Sequence, residues 1–295
     1  MAEQVISGQA ALDKLIALLD LEQIEEGIFR GTSPAESMQR VFGGQVAGQA
    51  LVAAGRTVPA DRPVHSLHAY FLRPGDPTVP IVYQVEAVRD GRSFLTRRVV
   101  AIQHGRPIFH LAASFHRRED GLDHQVSMPQ VAPPESLPTL AELADRYGPR
   151  IGAFFTLPRP IDLRWASEPP WLVTEHGGRE ATQQVWMRAD GVLPDDPLVH
   201  VCALTYASDM TLLNTALLPH GLSWEGVAGA SLDHAMWFHR PFRADEWVLY
   251  DCDSPSASDS RGLAMGRMFS ADGRLVATVV QEGLVRPVRR SPRHA

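Results

Sequence analysis

Apolar residues in this chain fall into runs of different period, and the periods mark the elements. Near the N-terminus Leu12, Leu15, Ile16 and Leu19 recur at helical spacing, which predicts an amphipathic helix packed on the body. The stretch FGGQVAGQALVAAG is apolar but small, and predicts a helix whose Gly44, Ala47, Gly48 and Ala50 allow close contact with a sheet. Three longer segments follow, PIVYQVEAVRD, SFLTRRVVAIQHG and RPIFHLAASFHR. They are rich in Val, Ile and Phe, alternate in part, and are broken by Asp-Gly or His-Gly, as strands joined by tight turns are. Further on, SDMTLLNTALL predicts a second helix, and EWVLYDCDSPSAS, GLAMGRMFSADG and RLVATVVQEGLVR predict three more strands, with Asp272-Gly273 as a hairpin turn.

The two sets repeat one plan. Tyr70-Phe71-Leu72-Arg73-Pro74 matches Trp237-Phe238-His239-Arg240-Pro241 at an offset of 167, and Gly105-Arg106 matches Gly273-Arg274 at 168. An offset held this closely over about fifty positions points to an internal duplication. Each half then reads as a helix followed by a meander of antiparallel strands, an α+β unit with its sheet curled around the helix or, alternatively, with the helix lying on one sheet face. The boundaries expected are residues 1–118 for the first unit, a Pro-rich connector at 119–160, and 161–295 for the second. The connector holds one short helical patch near LAELADRYG and can cross between units.

Composition narrows the classes. The net charge of −6 disfavours a nucleic-acid binder, and 44% hydrophobic with 21% charged residues is ordinary globular composition. Two cysteines, Cys202 and Cys252, give neither a disulfide framework nor metal-ligand spacing, and read as small hydrophobes in a reducing compartment. The acidic start MAEQVISGQAALDKLIALLD has no basic region and no unbroken apolar core. Neither a signal peptide nor a membrane span is expected, and a cytoplasmic location is.

Three polar residues break the pattern where apolar ones belong: Asp209 in YASDM, Ser231 in GASLDH and Gln281 in VVQEG. Asp209 reads either as the N-cap of the helix it opens or as a base whose ionised form that helix dipole favours. Ser231 reads as a turn residue before a strand or as a hydrogen-bonding partner of the base. Gln281 follows Ala-Thr-Val-Val in a strand that reads as buried, where a carboxamide must find partners. The first-half counterparts Ala112, Ala113 and Ser114 carry no Gln, which suggests one working set per chain. Asp233 and His234 lie close to Ser231, but alternation along a strand argues against a Ser-His-Asp triad. His65 and His68 lack a third metal ligand and read as structural, and Arg92, Arg97, Arg98 and Arg261 read as strand-edge residues. No G-x-S-x-G, Walker A, G-x-G-x-x-G or H-E-x-x-H motif occurs.

The strings IEEGIFRG, VFGGQVAGQAL, VHSLHAYFLRPGD, YQVEAVRDGRSFLTRRVVAIQHGRPIF, TYASDM, DHAMWFHRPF and VVQEG, in this order, resemble the acyl-CoA thioesterase II (TesB-like) family over about residues 21–286. The resemblance implies a double hotdog fold and hydrolysis of fatty acyl-CoA thioesters by an Asp, Ser/Thr and Gln set. By motif these are Asp209, Ser231 and Gln281. Direct attack by water is then expected, with Asp209 as general base and Ser231 and Gln281 orienting the water, and no cofactor or metal. Acyl-CoA is the expected partner, without nucleic acid or membrane, and a homodimer or larger homo-oligomer the expected state. Two rivals stand beside this reading. A hotdog enoyl-CoA hydratase would want Asp and His on one face of the central helix, and a non-catalytic acyl-CoA or lipid-binding module would not need Gln281.

Overall fold

The computed structural model describes residues 7–34, 40–151, 160–172, 177 and 180–288. Its described strands form one antiparallel sheet, and their order is nearly a palindrome. From one edge to the centre run β1 (Glu22–Glu25), β2 (Ile28–Gly31), β4 (Ile81–Asp90), β5 (Phe94–Gln103), β6 (Arg106–His116) and β3 (Val64–Phe71). From the centre to the far edge run β10 (Asp233–Phe238), β13 (Leu275–Pro287), β12 (Arg261–Ser270), β11 (Val248–Ser258), β8 (Thr182–Ala189) and β7 (Ile161–Trp165). The halves join where β3 pairs with β10, His68 opposite Ala235. A short strand, β9 (Val227–Ser231), pairs only with β13.

In the first half the sheet packs on a helix, α2 (Gly43–Gly55); in the second, α4 (Pro197–Ser208) packs chiefly against α2, and the turn Leu212–Ala216 packs on β11, β12 and β13. Every residue from Gly44 to Ala54 is buried, so α2 has no polar face to give it an amphipathic period. Gly44 and Gly48 face the other helix. A Cβ at Gly44 would lie 2.4 Å from the Tyr206 carbonyl, and one at Gly48 3.3 Å from that of Cys202. The small-residue stripe therefore lets two helix backbones approach, which corrects the sheet contact expected from the sequence. Two glutamines in this apolar surround are satisfied: Gln45 donates to the Thr32 carbonyl and Ser33 Oγ, and Gln49 accepts from Tyr83 Oη and donates to the Leu18 and Thr32 carbonyls.

The second helix also departs from expectation. SDMTLLNTALL does not form it; α4 ends at Ser208, and Leu212–Ala216 is a 3-10 turn. From Pro197 to His220 the chain is apolar throughout and mostly buried, so no change of period marks the break. The strands β4 and β11 begin 167 residues apart, at Ile81 and Val248, whereas α2 and α4 begin 154 apart, at Gly43 and Pro197. The second half thus carries an insertion of 13 residues between helix and central strand. The 3-10 turns and β9 lie in this region.

Elsewhere the pattern reads through. The N-terminal helix α1 (Gln9–Leu19) buries Leu12, Leu15 and Leu19. The helical patch in the connector is α3 (Leu140–Tyr147), opened by a reciprocal Thr139–Glu142 capping box. The connector crosses the second half: Gln125 bonds to Gly273 and Leu275, Trp186 donates to the Ala132 carbonyl, and Leu137 joins a small cluster with Trp186, Trp247, Leu249 and Phe269.

Candidate active site

Asp209 is the residue at which α4 stops. It is the C-cap, its N–H bonding back to the Ala207 carbonyl, so it does not open a helix. The dipole of its own helix therefore opposes its ionised form, contrary to the sequence reading. A different helix supplies the compensation. The N-terminus of α2 has no side-chain cap of its own, and the Gly44 amide bonds to the Asp209 carboxylate. Gly43 is required here because a Cβ would lie 2.6 Å from Asp209 Oδ2. The first half thus offers bare helix amides, and the second half fills them with a carboxylate.

Ser231 and Gln281 reach the same carboxylate from the sheet. Gln281 Nε2 donates to Asp209 Oδ1 at 2.6 Å and to Ser231 Oγ at 3.0 Å, while Ser231 Oγ faces Asp209 Oδ1 across 3.4 Å. Gln281 is fully buried, whereas Asp209 and Ser231 keep part of their surface accessible. All three residues singled out in the sequence therefore meet. Desolvation pushes the Asp209 carboxyl up to about 6, against the opposing pull of its bonds from Gln281, Gly44 and Ser231.

A bulge in the central strand brings Ser231 into place. Ser231 pairs opposite Gly283, yet Ala235 pairs opposite Val280, so the register slips by one residue between β9 and β10. The slip is filled by Asp233, whose Oδ1 accepts the Glu282 N–H at 2.7 Å. Simple alternation would send Ser231 and His234 to opposite faces; the bulge puts both beside Gln281. The sequence argument against their convergence thus fails for His234, although it holds for Asp233, whose carboxylate serves the backbone. His234 is 1% exposed, with Nε2 2.9 Å from Ser208 Oγ. Its environment holds it neutral, burial lowering its pKa to about 4.

The other candidates have structural partners. His65 Nε2 bonds to Ser114 Oγ, and His68 lies edge-on to Trp237. Arg97 is buried against Thr57 and Asp90, Arg98 pairs with Glu86, and Arg261 with Glu282. Near the trio, Phe42 stacks edge-on to Tyr206 and Phe71 packs on Phe109, giving an aromatic wall by the α2 N-terminus.

The equivalent end of the other half is a natural control. By helix and strand register, Gly55 stands where Asp209 does, Ala54 for Ser208, Val64 for Ser231, Leu67 for His234 and Ala113 for Gln281. The backbone slip recurs there, between Val64 and Ser66. The N-terminus of α4 is closed by its own residue, Asp196 accepting from the Leu198 N–H. A cavity of about 950 Å³ opens at this end, lined by Gly55, Val64 and Leu198 among others, but none of the reactive set is present.

Known proteins resemble the chain along most of its length. Residues 158–284 match the acyl-CoA thioesterase family model, and residues 32–116 the model of the acyl-CoA thioesterase N-terminal domain. Acyl-coenzyme A thioesterase 8 of Mus musculus is 44% identical over 292 residues, covering 95% of this chain and 91% of that protein. The crystal structure of an acyl-CoA thioesterase II, TesB2, from Mycobacterium marinum is 46% identical with a TM-score of 0.78, covering 93% of this chain and 98% of that one. A conserved protein of unknown function with hot dog fold from Alicyclobacillus acidocaldarius, 21% identical, superposes with a TM-score of 0.77 over 94% of this chain and 99% of that one, which bears on the fold alone.

Proposed function

Because the chain belongs to the acyl-CoA thioesterase family and has its double hotdog fold, it is a thioester hydrolase, and we propose that it cleaves fatty acyl-CoA by direct attack of water activated by Asp209. The observation that carries this reading is a carboxylate, hydroxyl and carboxamide in mutual hydrogen-bond reach at an otherwise uncapped helix start.

A thioester carbonyl is activated and its thiolate leaves readily, with model thiols near pKa ~8.5. The enzyme must place a water, take its proton and hold the oxyanion. Asp209, with its pKa raised to about 6, is ionised at neutral pH yet more basic than an ordinary carboxylate, the balance a general base needs. Gln281 spends both amide hydrogens on Asp209 and Ser231, which fixes the carboxylate; Ser231 points its own proton at Asp209 Oδ1 and keeps a lone pair to accept a hydrogen bond from the water. Water gives a proton to Asp209 as its oxygen bonds to the acyl carbon. The tetrahedral intermediate then expels the thiolate, the C–S electron pair leaving with sulfur, and the proton on Asp209 returns to it. The Gly43 amide makes no hydrogen bond among the described residues and is our choice of oxyanion donor. All three reacting side chains lie in the second unit, 161–295, and their counter-helix in the first, 1–118.

The hydratase rival is the weaker reading, since the Asp–His pair that α4 offers, Asp196 and His200, is committed to backbone: Asp196 accepts the Leu198 N–H and His200 Nδ1 the Ala244 N–H. Buried, unpaired Cys202 and Cys252 support a reducing, cytoplasmic setting, and the broad sheet supports homo-oligomers. The test is thiol release from short, medium and long acyl-CoAs by wild type and Asp209→Asn. A folded variant losing ~10²-fold or more in kcat supports the base. Undiminished turnover would move the chemistry elsewhere, and acyl-CoA binding without turnover in either protein would leave a binding module.

A further inference from the structure

His234 is not explained by water activation as described, yet it belongs to the same polar cluster. Continuing the β10–β13 register by one pair from Ala235–Val280 sets His234 directly opposite Gln281, where facing Cβ atoms lie about 4.5–5.5 Å apart. Gln281 Nε2 is fully used on Asp209 and Ser231, and its Oε1 has no partner of full hydrogen-bond geometry among the described residues. The same holds for His234 Nδ1. The Ser208 hydroxyl lies 2.9 Å from His234 Nε2 and 2.8 Å from the Thr205 carbonyl, and its single proton can serve only one of them. If it serves Thr205, Nε2 must carry the imidazole proton, and two bare acceptors, Nδ1 and Oε1, face each other in the core. If it serves Nε2, the proton sits on Nδ1 and satisfies Oε1. The second arrangement avoids two buried acceptors without donors, each costing about 1–3 kcal/mol.

We infer that His234 is a positioning residue: its Nδ1–H donates to Gln281 Oε1 while its Nε2 accepts the Ser208 proton. This locks the carboxamide with its NH₂ toward Asp209 and Ser231. A flipped Gln281 would turn a carbonyl oxygen on the Asp209 carboxylate. The duplication supplies an independent argument. Where the reactive set is absent, the whole chain of contacts is absent with it: Ala54, Leu67 and Ala113 replace Ser208, His234 and Gln281. A histidine needed only to fill space would be served by leucine, as Leu67, fully buried, serves the twin half. The imidazole is held neutral across the range in which Asp209 titrates, so the lock does not open as the base ionises.

The inference deepens the proposed mechanism and rests on it for its kinetic arm, but its first test does not. Nitrogen-15 NMR of histidine-labelled protein should show His234 protonated at Nδ1 and bare at Nε2 between pH 5 and 8; the opposite tautomer overturns the inference. The second test uses His234→Leu, a residue that the fold already accepts at the twin position. The expected result is a fall in kcat on the order of 10²-fold with KM little changed. The acidic limb of kcat/KM should move to higher pH, and His234→Gln, which keeps a donor, should recover part of the loss. A folded His234→Leu enzyme with wild-type kcat and an unmoved limb overturns it. Should Asp209→Asn keep full activity, the base assignment falls while the tautomer result still decides the contact.

Discussion

At the scale of the residue, Asp209, the base proposed above, would tie catalysis to stability. Its carboxyl has a higher pKa in the folded protein than in the unfolded chain, so the native state holds the proton more tightly. Stability from this group is therefore lost as pH rises from about 4 to 6 and stays lost above, by at most about 3 kcal/mol for a two-unit shift. Asp209→Asn should consequently unfold at higher denaturant than wild type at pH 7, by about 1–3 kcal/mol, while losing activity; chemical denaturation of both proteins at pH 7 and pH 4 checks this, the gap closing at the lower pH. In wild type, log kcat/KM should rise with unit slope to a bend near pH 6, measured on a soluble short-chain thioester. The three residues that meet at the candidate site were legible as polar breaks in apolar patterns, supported by the family resemblance. Their mutual geometry was not. Asp209 reads as a helix start just as well as a helix end, because a single Asp in an apolar run punctuates either way. His234 was set aside by alternation, and a bulge defeats alternation without leaving a mark in the sequence.

At the scale of the element, the α2 glycines make two separable predictions. Gly43→Ala places a methyl on Asp209 Oδ2, so it should depress kcat while the melting temperature stays within about a degree or two, since Ala favours the helix. Gly44→Ala drives its methyl into the Tyr206 carbonyl, a backbone atom that cannot step aside, and should destabilise the protein by about 1–3 kcal/mol in thermal or urea unfolding. The β11–β12 turn offers a gain: Asp259 and Ser260 both sit at positive φ, 48° and 60°, without glycine. Asn-Gly at these positions should stabilise by roughly 0.5–1 kcal/mol, read as a higher urea midpoint. The long strands and tight turns of both meanders, including Asp272-Gly273, were readable because alternation and turn chemistry are local. Short β1, β2, β7 and β8 were not, since four to eight residues carry too little pattern. The central helix of the second half was misplaced because the 167-residue offset that aligns the strands does not extend across the insertion to α4.

At the scale of the whole molecule, two similar halves bring together one candidate site. The twin end has the backbone, the slip and a cavity, but carries Gly55, Val64 and Ala113. Asp209→Asn should therefore lower turnover by the full ~10²-fold or more and not leave half of it, and tight-binding inhibitor titration should count one site per chain. Duplication was legible in the offset; the loss of one site was legible only in part, through Ala113. The helix start that Asp209 closes has a consequence for the order in which the protein is made. The ribosome releases the first unit with its Gly43-Gly44 amides bare, then the carboxylate that will cover them, and only near the end the strand bearing Gln281. No shorter product holds all three side chains, so under the proposed mechanism a nascent chain stays inert toward thioesters until β13 has found its place.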